Sequence, residues 1–337
     1  MTTAHPWRRL ALALLIFSGP PWAHWWGFSA PWDARSAASV REHGRELGAV
    51  VTGWVALDTL TLLPTPLYHD STGSEIRRFT LLTNYFRDRF RPETVRRLAG
   101  DTTILAHTTD SLAALTVSAG YRGIVIGFEG MTPADTTALT TVVHAISARL
   151  HARGVSPVAI TVVAADSLTY PARALIAAGA DRLVVMVYDE HWSSGAPGPI
   201  ASPAWAHSII AARAAEAHGA THLVVAVPVY GYEWRHGGST VVVGADDARR
   251  LAAQWHTTLT RDPGSLNLRA TGPDSTSVWV ADGTTADTIA AIARHLGVQT
   301  FALWRLGLTD STFWVNPSGA SAPDGSTRPV RPGRVKR

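Results

Sequence analysis

The run YRGIVIGFEG, residues 121 to 130, holds one acid, Glu129, at the end of glycine, β-branched and aromatic residues. An ionised carboxylate in apolar surroundings is costly unless it is paired or neutralised, so this glutamate belongs at a strand mouth or a working site. Side chains alternate along a strand, which puts Gly123, Val125, Gly127 and Glu129 on one face and Ile124, Ile126 and Phe128 on the other. The bulky apolar set suits packing against helices, and Glu129 then points the opposite way. With only the uncharged Val125 and Gly127 beneath it, its carboxyl is poorly solvated and keeps its proton to higher pH. A second run, LVVMVYDEHW at 183 to 192, ends in the same manner: Met186 and Tyr188 share a face, and Asp189, Glu190, His191 and Trp192 follow at the mouth.

Competing chemistries lack their residues. There is no Gly-x-Ser-x-Gly elbow, no glycine-rich phosphate loop and no His-Glu-x-x-His pair. His144 and His151, seven apart on one helix, read as surface residues, and the contiguous Asp189, Glu190 and His191 diverge too much to share an ion. No metal and no organic cofactor is expected. The absence of cysteine excludes disulfides, thiolate metal sites and a cysteine nucleophile.

Residues at strand ends need a scaffold that gathers those ends. Eight β-like runs are present, at 26–32, 48–57, 79–86, 123–129, 157–163, 182–188, 222–230 and 299–304, and helix-period segments separate most of them. Near-continuous Val, Ile and Leu strands alternating with helices imply a parallel sheet, and eight units imply an α/β fold, a (β/α)8 TIM barrel. TTILA, 102 to 106, is strand-like in composition but falls where a helix should start. Residues 235 to 281, with STVVVG and TSVWVADG, are too long for a plain loop and read as an insertion between strands 7 and 8 with strands of its own.

The 337 residues, 46% hydrophobic and 17% charged, can bury a large core. The formal charge of +4 comes from RPVRPGRVKR at the C-terminus, so no basic face for nucleic acid is expected. Residues 316 to 337, rich in Pro, Gly, Ser and Arg, read as a disordered basic tail. At the other end, Arg8 and Arg9 precede an apolar run from Leu10 to Phe17, a Gly-Pro-Pro break and a small residue, Ala23. That is the layout of a signal peptide over 1 to 23, far short of the roughly 20 apolar residues of a membrane span. An extracytoplasmic protein is expected, touching a membrane only if the leader stays as an anchor.

The segments GYRGIVIGFEG, LVVMVYDEHWSSGAPGPIASPAW, VVAVPVYGYEW, SVWVADGTTADTIAAIARHLG and FALWRLG, in this order, resemble glycoside hydrolase family 18, the chitinase-like barrels, and within it the bacterial branch acting on cell-wall and spore-cortex glycans. The resemblance spans about residues 24 to 315. It implies a barrel that hydrolyses polymers containing N-acetylglucosamine, chitin- or peptidoglycan-like, by substrate-assisted catalysis. The family pattern Asp-x-x-Asp-x-Asp-x-Glu falls on Arg122, Val125, Gly127 and Glu129, so the acid is kept and three aspartates are replaced. By the same resemblance Tyr188 hydrogen-bonds the acetamido group, Asp189 is the catalytic acid beside it, Trp304 floors a sugar subsite, and Trp192 and Tyr230 join Gly127 along the substrate. Loss of the carboxylate at 127 keeps open a second reading, a barrel that binds such glycans or a protein partner without turnover.

Overall fold

The computed structural model describes residues 22 to 315 except His236, Gly238 and Ser239; the expected leader, apart from its last two residues, and the expected tail lie outside the described residues. Eight parallel strands close on themselves: β1 (Trp25–Phe28), β2 (Ala49–Leu57), β3 (Arg78–Thr83), β4 (Gly123–Gly127), β5 (Val158–Val163), β6 (Arg182–Met186), β7 (Leu223–Pro228) and a last strand (Thr300–Trp304). Closure is made by β1, which pairs Trp26 with Ala49 of β2 and with Ala302 of the last strand. This is the (β/α)8 barrel that the alternating pattern predicts.

The period of two divides the core. Ile124, Ile126 and Phe128 join Leu183, Val185 and Val187 in the layer between barrel and helices. Leu81, Val125, Ala159, Val184, Ala226 and Ala302 fill the barrel interior. Apart from residues at the strand ends and Trp54, the strands are buried on both faces, which is why they read as continuous apolar runs.

Several boundaries differ from the sequence reading, each for a local reason. The first strand stops at Phe28 rather than 32, because Asp33 turns to cap α1 (Ala34–His43) by accepting from the Arg35 N–H. Asp101 accepts from the N–H groups of Thr103 and Ile104, so TTILA opens α3 (Thr102–Ser118), as its position predicts and its composition does not. Trp22, which the sequence reading places in the leader, is 2% exposed and packs its ring 4.7 Å from Phe313 and 6.0 Å from Trp25.

The insertion starts at Gly231, not 235. It comprises β8 (Gly231–Trp234), β9 (Val241–Val243), α7 (Ala245–Gln254), β10 (Thr260–Arg261), β11 (Leu268–Thr271) and β12 (Ser277–Val280), whose strands form an antiparallel sheet. One sheet face buries Val243, Leu268, Ala270, Val278 and Val280 against the alanines of α7. The other turns Tyr232, Trp234 and Trp279 toward the barrel mouth, beside Tyr230 and Ile200. Arg35 to Asp247 at 2.9 Å and Arg249 to Asp310 at 3.1 Å tie the insertion to the barrel.

Candidate active site at the barrel mouth

Glu129 stands two residues past the end of β4. Phe128 is fully buried among the helices, and Gly130, at φ +69°, takes a left-handed conformation that lets the chain turn away at once. Glu129 therefore stays on the inward face. Its backbone is held on both sides: its N–H donates to Asn84 Oδ1 at 2.9 Å, Asn84 Nδ2 donates to its carbonyl at 2.8 Å, and Tyr170 OH donates to the Phe128 carbonyl at 2.8 Å. Burial, with the nearby Asp189 charge adding to it, lifts the Glu129 carboxyl from 4.5 to about 7. The group thus keeps its proton near neutrality.

Asp189 follows β6 in a left-handed conformation, φ +60°, that aims its carboxylate back over the mouth. Tyr230 and Tyr232 both donate to its Oδ1, the Tyr232 bond measuring 3.0 Å. Burial raises the Asp189 carboxyl, and the two hydroxyls partly offset the rise. Burial likewise pushes the Tyr188 and Tyr230 phenols well above their usual range, and the charge of Asp189 acts on both in the same direction. Tyr188 lies nearly parallel to Trp304, with planes 15° apart and centroids 6.1 Å apart. Phe28 meets Trp304 edge-on at 5.6 Å. The next residue, Arg305, is 9% exposed and donates to Asp33 at 3.1 Å, which seats the end of the last strand. Hydrogen bonds from Arg35, and then from Arg305, hold Asp33 at about 2.

Of the residues singled out in the sequence, the structure gathers Glu129, Tyr188, Asp189, Tyr230 and Trp304 around one opening. Trp192 is 54% exposed on the loop after β6, and its indole N–H donates to Ser194 Oγ at 2.7 Å. A Cβ at Gly127 would lie 3.1 Å from Leu81 Cδ1, so the space beside this position is already taken by an apolar side chain of β3. Beyond Trp304 the mouth carries more aromatic surface. Trp54 points into the opening, Trp32 meets it at 4.9 Å and Tyr68 lies 6.2 Å further, with Trp32 53% and Tyr68 43% exposed. Sugar rings stack on such surfaces.

Asn84, Tyr170 and Tyr232 were not found from sequence. Tyr232 had a signal, since Tyr230, Tyr232 and Trp234 alternate along one strand direction. Asn84 and Tyr170 had none, because each acts on a segment more than forty residues away. Among the described residues no group of three or more His, Asp or Glu is placed to hold a metal ion.

No family model matches the chain. A Bacillus subtilis (strain 168) protein described as the uncharacterized glycosylase YvbX is 23% identical over 301 residues, covering 84% of this chain and 87% of its own. Among solved structures, a chitinase from Chromobacterium violaceum ATCC 12472 superposes with TM-score 0.77 at 20% identity, over 87% of this chain and 97% of its own. The spore cortex-lytic enzyme SleL of Bacillus megaterium QM B1551 gives 0.75 at 15% identity, over 87% and 72%. The fold is therefore that of the chitinase-like barrels, in agreement with the family 18 resemblance in the sequence.

Proposed function

We propose that this chain is an extracytoplasmic glycoside hydrolase acting on a glycan that contains N-acetylglucosamine, with Glu129 as the proton donor. The observation that supports this most is the Glu129 carboxyl itself: fixed at a barrel mouth, raised to about 7, and facing a floor made by Tyr188 and Trp304. The glycosylase, chitinase and cortex-lytic descriptions of the similar proteins point to the same substrate class. The leader residues Arg8 to Phe17 support export.

In this reading a sugar carrying an acetamido group sits on Trp304, its amide toward Tyr188 and Asp189. Glu129 passes its proton to the glycosidic oxygen as the C1–O bond breaks. The acetamido carbonyl oxygen attacks C1 from the other face and forms a cyclic oxazolinium ion, and the alcohol leaves. Glu129, now a carboxylate, takes a proton from water as that water opens the ring and restores the acid. Asp189, the one carboxylate near the amide, supplies the negative charge that the family places at 127.

Glu129→Gln, assayed on chito-oligosaccharides and peptidoglycan fragments, should abolish hydrolysis and leave oligosaccharide affinity nearly intact. Hydrolysis that survives the substitution would remove Glu129 from the mechanism. A second reading, glycan binding without turnover, draws on Leu81, whose side chain occupies the space beside Gly127. A preorganised charge aimed at a developing transition-state charge is worth about 3 to 4 kcal/mol, so its loss alone slows a reaction roughly 100- to 1000-fold. Wild-type protein that binds oligosaccharide and shows no turnover would establish the binding reading.

A further inference from the structure

We propose that Asn84 and Tyr170 are positioning residues for the general acid, Asn84 acting as a substitute peptide that continues the β3–β4 ladder past its end and fixes the backbone of Glu129. The inference rests on the reading of Glu129 as the acid.

The ladder between β3 and β4 ends with Thr83 opposite Gly127. Past this point the β3 backbone cannot serve β4: the chain turns into a short hairpin, and the Asn84 carbonyl accepts from the Arg91 N–H at 2.8 Å. Without another partner, the N–H and C=O of Glu129 would stand unpaired at the rim. The Asn84 side chain replaces the missing strand. Its amide offers an acceptor and a donor side by side, and both are used, on the N–H and the C=O of the same residue. Asn84 is fully buried, which keeps water from competing for either bond. Among residues of this size only asparagine presents both groups at once, since aspartate lacks the donor and leucine lacks both.

From the β5 side Tyr170 closes the grip on the Phe128 carbonyl. Tyr170 is itself held, because Arg213, 2% exposed on α6 (Pro203–Glu216), donates to its carbonyl at 3.1 Å and to those of Ala164 and Val163. The Phe128–Glu129 peptide is thus clamped by the segments that follow the two neighbouring strands, at the point where β4 has no ladder. The ionisable groups facing the Glu129 carboxyl are Asp189 and Tyr188 from the end of β6 and Tyr170 from the loop after β5. A slack backbone would let the carboxyl swing out of their company into water. Acid strength and aim would be lost together.

The test compares wild type with Asn84→Ala, Asn84→Asp and Tyr170→Phe in three readouts: chito-oligosaccharide kcat and KM, the pH profile of kcat, and the titration of the Glu129 carboxyl by carbon-13 NMR, assigned with Glu129→Gln. Folded Asn84→Ala should keep KM within about 2-fold and lose on the order of 10- to 100-fold in kcat, the penalty of a misaimed group. Its Glu129 titration and the alkaline limb of kcat should both move down by about one pH unit as the carboxyl regains solvent. Tyr170→Phe should move both readouts the same way by less. A purely structural role would lower the melting temperature and leave the titration and the alkaline limb in place, and that result overturns the proposal. Should Asn84→Ala not fold, Asn84→Asp and Tyr170→Phe, which keep side-chain volume, decide by the same readouts. Should wild type hydrolyse nothing, the hydrolase reading fails, while a downward shift of the Glu129 titration still upholds the clamp and an unchanged titration overturns it.

Discussion

Replacing the proposed acid should make the protein more stable in alkali. The Glu129 carboxyl titrates at about 7 in the folded chain against 4.5 when free. Between those values the folded state holds a proton that the unfolded state has released, so stability is full below about 4.5 and declines as pH rises through 7. Each unit of separation is worth ~1.4 kcal/mol, which makes the cost of the buried charge about 3.5 kcal/mol at most. The Asp189 charge supplies part of the rise, so about 2 kcal/mol is the working figure for burial above pH 8. Glu129→Gln keeps the shape and cannot ionise. Wild type and variant should therefore match at pH 4.5, and the variant should gain about 2 kcal/mol at pH 8. Urea unfolding at both pH values reads the difference, and the many other carboxyls cancel because both proteins carry them. A gap that stays constant from pH 4.5 to 8, or a variant less stable at pH 8, would refute the claim that burial sets this group's proton affinity.

Three further outcomes follow from particular contacts. Tyr232→Phe removes one of the two hydroxyls that hold the Asp189 carboxyl down, so the acid limb of hydrolysis should move to higher pH; an unmoved limb would mean that Asp189 does not titrate in the rate. Gly127→Asp alone meets Leu81 at 3.1 Å and should gain little, whereas Gly127→Asp combined with Leu81→Ala should raise kcat on the order of 100-fold, and equal rates for the two variants would dissociate Leu81 from the defect. Trp22 is packed against Phe313 and Trp25, so a cut that removes the proposed leader should lie ahead of Trp22 and not after Ala23, where the small residue suggests it; intact-mass measurement checks this, and a Trp22→Ala variant should lose about 3 to 5 kcal/mol.

Barrel architecture was legible because strands covered on both faces carry an uninterrupted apolar signal, and the inward aim of Glu129 was legible because strand periodicity is two. Contacts made across the barrel were not. Asn84 looks like one polar residue within FTLLTNYF, and its meaning depends on Glu129, 45 positions away. Leu81 reads as one more strand leucine, and only the packed structure shows that its side chain reaches along the strand to fill the space beside Gly127. Trp192 joins the site only through the family resemblance, and its contacts in the structure are local, the indole N–H on Ser194 Oγ and the residue 54% exposed on the loop after β6.

These contacts separate two tasks that neighbouring acids on one strand would otherwise share. A carboxylate at 127 would raise the Glu129 pKa by repulsion and would also stabilise positive charge on the substrate. Here the first task is met without it: burial raises the acid, Asp189 reinforces the rise from across the mouth, and Asn84 with Tyr170 holds the acid in place. In the proposed mechanism the second task falls to Asp189, whose Oδ1 is already engaged by two tyrosine hydroxyls. Each such bond draws charge from the carboxylate, so Asp189 offers a weaker field to a cation than a free acid would. In the proposed mechanism proton donation is therefore well provided for and cation stabilisation is not, so a shortfall in rate would come from the positive charge that builds as the acetamido oxygen displaces the leaving sugar at C1.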